Sequence, residues 1–342
     1  MVRRVTLTDI SREAGVGAAT VSRALGDHPD VSAATRERVR EVAQRLGYRP
    51  SVTARALRSG GYQTISAIVP DAEWGWWEPV VRAAFEAAAE AGFQLMVHPV
   101  AGAEGGVVAV IDGLVNVPTE GVIVIGTPDQ HAVRQACDRI SFPAVAIDDT
   151  SRNIRLPTVS PRNRMGAREV VQHLLSAGYR KIALGRAPTD GDPRWGEGLF
   201  IEERVAGYLD ALEEAGISVD EDLIVGSADA WDESRTLWPE LDALLTSGRR
   251  FDALFCIADL MAAPALRTLR AHGLRVPDDV AVAGFDDERA ALLLDPQLTT
   301  SRQPYRAMGV TAVELLLRAI RDESVPVERH ELETELIVRS ST

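Results

Sequence analysis

An all-α head followed by a large α/β body with two doubly wound parallel-sheet subdomains is the fold class this sequence predicts, on three observations. Through residue 47 the apolar residues recur at three- and four-residue steps in segments broken by Gly15, Gly26 and Gly47, the period of short amphipathic helices. From residue 62 the pattern changes to β-branched runs of four or five residues alternating with longer amphipathic stretches, which is how parallel strands covered by helices on both faces read. The charge divides at the same place. Residues 1–61 hold eleven Arg against six Asp and Glu, a balance of +5, whereas the whole chain of 342 residues stands at −13.

In the head, a first helix is expected from Thr6 or Thr8 as N-cap to about Ala14, with Leu7, Ile10 and Ala14 on one face and Asp9 near its positive end. Gly15-Val16 makes a tight turn into a second helix, Ala18 to Leu25, with Val21, Ala24 and Leu25 inward. A third helix follows Ser32, buries Val39, Val42, Ala43 and Leu46, and ends at Gly47. Two helices joined by a glycine turn, the second carrying small and hydroxyl side chains, form a helix-turn-helix. Its outward residues Ala18, Ala19, Thr20, Ser22 and Arg23, with Thr8 on the first helix, are the candidate DNA contacts. Arginine can pair with a guanine edge or with phosphate, and the alanines can pack on thymine methyls or simply favour helix.

Residues 50–58 open with Pro50, continue as an Ala/Arg/Leu helix and close on Gly60-Gly61. A helix of about eight residues is shorter than the ~12–15 that hold together alone in water, so it needs outside contacts to form. A small basic head on an acidic body suits a phosphate-binding module whose attached domain does not itself touch DNA. The domains expected are 1–49, a hinge at 50–61 and a body at 62–342.

Strands are expected in the body near 65–69, 93–97, 121–125, 144–147, 181–184, 253–256 and 280–283, with helices near 77–91, 164–177, 202–215, 235–245 and 259–272. That is more strands than one sheet needs, so two similar halves are expected, with a crossover near 156–162 and returns near 290–300 and 322–328. The carboxyl ends of both sheets then face a shared cleft. Asp148, Asp259 and Asp286 each follow an apolar strand, where a carboxylate either accepts hydrogen bonds from ligand hydroxyls or caps the next helix. Cys137 and Cys256 lie far apart in a helix and a strand and read as plain buried cysteines. No P-loop, GxSxG or HExxH motif occurs, so no enzyme and no metal or other cofactor is expected. The remote alternative is a carbohydrate-active enzyme using a carboxylate pair. No apolar run reaches the ~20 residues of a membrane span, and Met1-Val2-Arg3-Arg4 leads into Thr-Leu-Thr-Asp rather than an apolar signal core, so a cytoplasmic protein without a membrane partner is expected.

Val5-Thr6-Leu7-Thr8-Asp9-Ile10-Ser11-Arg12-Glu13-Ala14-Gly15-Val16, Ala19-Thr20-Val21-Ser22-Arg23-Ala24-Leu25 and Leu46-Gly47-Tyr48-Arg49-Pro50-Ser51, with Ala54-Arg55-Ala56-Leu57, resemble the head and hinge of the LacI/GalR transcriptional repressors. The body resembles that family's periplasmic-binding-protein-like sensor at 253–259, 273–287, Leu298-Thr299-Thr300 and Gln303-Pro304. The resemblance implies a repressor whose second helix enters the major groove of operator DNA. It also implies that the hinge helices of two subunits pair in the minor groove, where Ala54, Arg55 and Leu57 contact DNA and Leu57 wedges between base pairs. Gly17 stands where the family usually has serine, so a capping or phosphate-touching hydroxyl is missing there.

In the sensor the resemblance implies that Asp286 and Arg204 contact the effector, and it places Trp76 and Trp77 on the family's aromatic positions after the first strand. Indole faces stack on sugar rings, and Trp231 and Trp195 lie in loops able to reach the same mouth. A mono- or oligosaccharide effector is therefore expected. A purine-like corepressor is the alternative, disfavoured because Gly198 and Phe200 replace polar contacts. With no heptad helix after the last expected strand near 337–340, a homodimer is expected.

Overall fold

The computed structural model describes residues 5–48, 61–70, 75–100, 104–126, 130–148, 151–187, 198–226 and 236–342. The chain divides into two compact units on either side of Gln63 and Thr64. The hinge residues Ala54, Arg55 and Leu57, and also Trp195 and Trp231, lie outside the described residues.

The head is three helices around one small core. Helix α1 (Leu7–Ala14) starts from a capping box: the Asp9 amide donates to Thr6 Oγ1 at 3.4 Å and the Thr6 amide donates to Asp9 Oδ2 at 2.9 Å. Thr6, not Thr8, is the cap, because this exchange satisfies amides at both ends of the first turn. Gly15 ends the helix with φ 65°, a left-handed conformation suited to glycine. Helix α2 (Ala18–Leu25) begins at Gly17 with no side-chain cap, the loss that a glycine at this position entails. Helix α3 (Ala33–Arg45) starts at Ser32, whose hydroxyl accepts from the Thr35 amide. Ile10, Ala14, Val21, Ala24, Val31, Val39, Val42 and Ala43 are buried together, with Leu7, Leu25 and Leu46 packed around them.

The body contains two six-stranded sheets. The first, in order β11-β5-β4-β3-β1-β2, is parallel throughout: β1 Thr64–Val69, β2 Gln94–Pro99, β3 Val122–Ile125, β4 Ala144–Ile147, β5 Thr158–Pro161 and β11 Arg329–Leu332. The second runs β12-β10-β9-β8-β6-β7: β6 Ile182–Gly185, β7 Ile224–Val225, β8 Ala253–Cys256, β9 Ala281–Asp286, β10 Thr299–Arg302 and β12 Glu335–Ile337. Among the described residues only its edge strand β12 is antiparallel.

The β-branched runs are continuous because both faces are covered. On the first sheet Ile65, Ile123, Ile125 and Val145 pack under α4 (Glu78–Glu90) and α12 (Tyr305–Ile320). Their strand neighbours Ile68, Val122, Val124 and Ala146 face α5 (Gly106–Gly113) and α6 (Gln130–Ile140). The second sheet is covered by α7 (Asn163–Ser176), α8 (Leu199–Glu214), α9 (Pro239–Thr246) and α10 (Ala262–Ala271). A short α11 (Arg289–Leu293) follows β9. Cys137 and Cys256 are both buried and unpaired, and burial pushes both thiols up, Cys137 to about 12.

Among the described residues the chain passes between the two lobes three times, at residue 162, at 303–304 and at 333–334. The second and third passages fall later than 290–300 and 322–328. Residues 299–302 still form a strand of the second sheet, and 322–328 link α12 to β11 within the first. Among the described residues no helix is long and apolar enough to cross a membrane.

Candidate functional site

In the head, α2 turns Val21 and Ala24 inward, which leaves Ala18, Ala19 and Arg23 exposed and Thr20 and Ser22 half-buried; Thr8 on α1 is exposed. Arg36 and Arg40 pair with Asp27, and Arg45 with Glu13. No ion pair is found for Arg23 among the described residues. The outward face of α2 is thus small, hydroxyl-bearing and singly charged, which suits contact with base edges and phosphates.

In the body, the strand ends carry the chemistry. Asp148 follows β4 at φ 48° and Asp286 closes β9 at φ 121°, left-handed conformations that asparagine and aspartate tolerate better than most residues. Arg204, on the inward face of α8, is 2% exposed. It donates from Nε to Asn163 Oδ1 at 2.9 Å and from Nη1 to the Ile257 carbonyl at 2.7 Å, and Nη1 stands 3.0 Å from Asp286 Oδ1. Its guanidinium lies 3.8 Å from the Phe285 ring centre and 5.2 Å from that of Phe200. This cage holds a charged fork buried and in one orientation.

Asp286 also accepts from Gln303 Nε2 at 2.6 Å. Burial pushes its carboxyl up, against the Arg204 charge and the Gln303 hydrogen bond that pull it down. Asp259, 1% exposed, accepts from Thr300 Oγ1 at 2.6 Å and from the Glu288 amide at 3.0 Å. Burial and the neighbouring Asp286 charge push it well above the usual carboxylate range. Gly284 makes room for it, since a methyl group there would run into Asp259 Oδ1. Asp259 is therefore a buried brace between β10 and the loop after β9.

Asp148 is half-buried, and burial pushes its carboxyl up to about 6. The charges acting on it are Arg204 and Asp286 from the second lobe and Arg329 from the first, so the strand ends of both lobes converge electrostatically. Trp76 is half-buried, with its ring over Gly126 just beyond β3. Trp77 is 3% exposed and packs in the first lobe's core with Val80 and Val81, so its ring serves packing rather than an open face.

Sequence reasoning passed over Asn163, Glu203, Gln303 and Tyr305. Asn163 and Gln303 orient Arg204 and Asp286, and the Gln303-Pro304 pair was the one available signal for them. Among the described residues Gln303 Oε1 and the Tyr305 hydroxyl are buried without partners, and the Asp286 charge adds to the burial that raises the Tyr305 phenol. Among the described residues no group of three or more His, Cys, Asp or Glu could hold a metal ion. A fixed guanidinium beside carboxylates from both lobes offers the donors and acceptors that a hydroxyl-rich ligand needs.

Residues 6–51 match the family described as bacterial regulatory proteins, lacI family, and residues 171–342 match the periplasmic binding protein-like domain. The HTH-type transcriptional regulator CelR of Thermobifida fusca is 34% identical over 350 residues, covering 99% of this chain and 98% of that protein. The lac repressor dimer bound to operator and the anti-inducer ONPF has a TM-score of 0.83 at 25% identity, covering 99% of each chain. The CelR-cellobiose complex has a TM-score of 0.69 at 30% identity, covering 99% of this chain and 100% of that one.

Proposed function

This chain belongs to the lacI family of bacterial regulatory proteins, and on that footing we propose that it is a homodimeric repressor released from a near-palindromic operator by a small carbohydrate. The observation that carries the sugar reading is the caged Arg204–Asp286 pair facing Asp148 from the opposite lobe. Carboxylates accept from sugar hydroxyls, and the guanidinium donates to ring or hydroxyl oxygens. CelR, whose structure is a complex with cellobiose, makes a β-linked disaccharide the first ligand to try. Phe200, packed against Arg204, offers an apolar surface where a purine would want polar partners.

Ala18, Ala19, Thr20, Ser22 and Arg23 read the major groove. Leu57, beside Ala54 and Arg55, acts as a minor-groove wedge that kinks the operator. Phe85, Leu292 and Leu293, exposed by 57%, 51% and 75%, are among the exposed apolar side chains that a partner subunit could cover. Allostery requires that the sugar bind the released state more tightly than the operator-bound one. A thermal-shift screen of mono- and oligosaccharides on the full chain tests the reading, because a ligand specific for the folded state raises the melting temperature. No shift with any sugar, alongside a shift with a purine, would overturn it.

A further inference from the structure

The first turns of α8 carry three consecutive charged residues, Glu202, Glu203 and Arg204. Arg204 turns into the second lobe, whereas the two glutamates face the first. Arg152, in the loop after β4, reaches Glu202 through one nitrogen, Nη2 to Oε1 at 2.5 Å and to Oε2 at 2.6 Å. Glu203 is half-buried and its carboxyl is raised by burial. The forces opposing that rise are the charge of Arg329 on β11 and a hydrogen bond with Asn163. Arg329 is itself fixed to the first lobe, donating from Nη1 to Ser160 Oγ at 2.9 Å and from Nη2 to the Ser151 carbonyl at 3.0 Å. Ser151 adjoins Arg152, so both arginines belong to one lip of the first lobe and both glutamates to one helix of the second.

None of these four residues lies at the three places where the chain passes between lobes, at 162, 303–304 and 333–334. Their contacts can part as the lobes open while the connecting segments stay intact. We propose that Arg152–Glu202, with Glu203 opposed to Arg329, is a charge clasp that favours the closed cleft and sets the helix carrying Arg204 against the first lobe. Glu202 and Glu203 are positioning residues in this arrangement: they act on the effector through Arg204 and Asn163. The clasp rests on the carbohydrate reading for its consequence and on the Arg152–Glu202 contact for its existence. The Arg152 and Glu202 side chains are 56% and 34% exposed, so the effect is modest, about threefold in an opening equilibrium, as for exposed ion pairs generally.

The test is a charge-swap cycle in the full chain: Arg152→Glu, Glu202→Arg and the double variant. Hydrogen exchange of the ligand-free proteins reads the clasp without any ligand. Each single reversal should speed exchange in 151–156 and 199–206 about threefold, and the swap should restore it. Cellobiose titration reads the consequence: each single variant should need about threefold more sugar, and the swap should recover the wild-type half-point. Unchanged exchange in both single variants, or a double variant no better than either, overturns the clasp. Faster exchange with an unmoved sugar half-point overturns its coupling to the effector. A wild-type chain that ignores cellobiose while its variants behave as described in exchange counts against the ligand reading and for the clasp.

Discussion

Arg204 Nη1 stands 3.0 Å from Asp286 Oδ1, with both side chains buried and each held by a further partner, Asn163 for the arginine and Gln303 for the aspartate. A buried ion pair contributes little beyond an apolar pair of the same shape, but removing one member strands the other charge. Keeping such a pair at a cleft therefore favours a binding role over a stabilising one.

Arg204→Ala should accordingly destabilise the body by about 3–5 kcal/mol, the cost of an unpaired buried carboxylate. Arg204→Ala with Asp286→Ala should recover part of that loss. Urea unfolding of the three variants checks it, provided the slopes match wild type.

The Asp148 carboxyl, pushed up to about 6 by burial, gives the cleft a pH dependence. Its folded value lies above its ordinary one, so the folded chain retains a proton that the unfolded chain has released. Asp148's contribution to stability therefore falls as pH rises from about 4 to about 6 and is lowest above that. Sugar hydroxyls donate best to the ionised form, so sugar affinity should rise between pH of about 5 and about 7. Calorimetric titrations across that range should show the rise in wild type and its loss in Asp148→Asn.

Gly284→Ala should push a methyl group against Asp259 Oδ1 and within 2.8 Å of Leu298. Overpacking of this kind costs about 1–3 kcal/mol, and here it also displaces the acceptor of the Thr300 and Glu288 bonds. A lowered melting temperature, with sugar affinity reduced more than in surface controls, is expected.

In the head, Arg23→Ala should weaken operator binding by about 1–3 kcal/mol. A loss confined to one operator base pair identifies base readout, and a uniform loss with a shallower salt dependence identifies phosphate contact. Thr6→Ala should cost about 1 kcal/mol of head stability through the lost capping box.

Much of this architecture was legible because strong local signals agree with the fold. Leu7, Ile10 and Ala14, then Val21 and Ala24, then Val39, Val42 and Ala43 mark three helices by period alone, and the Val/Ile/Ala runs of β1, β3, β4 and β8 mark buried parallel strands. Arg204, Asp286 and Asp148 were reachable from strand ends and resemblance. What escaped lacks local character. Strand β7 is two residues, and β10 and β11, Thr-Thr-Ser-Arg and Arg-His-Glu-Leu, owe their pairing to neighbours distant in sequence. Helix α12 follows a strand of the second sheet yet covers the first, a choice made by tertiary packing against α4, where Gly309 lets the two backbones approach. Trp77 and Trp76 are adjacent and equally aromatic, but one faces the core and the other its edge.

The central claim is that a ligand in the Arg204–Asp286 cleft controls operator binding by the head. Operator titration of wild type and Asp286→Asn, each with and without a sugar shown to bind wild type, tests it most directly. Wild type should lose operator affinity when sugar is added, and Asp286→Asn should bind operator equally well with or without it. Release of Asp286→Asn at the wild-type sugar concentration would contradict the account.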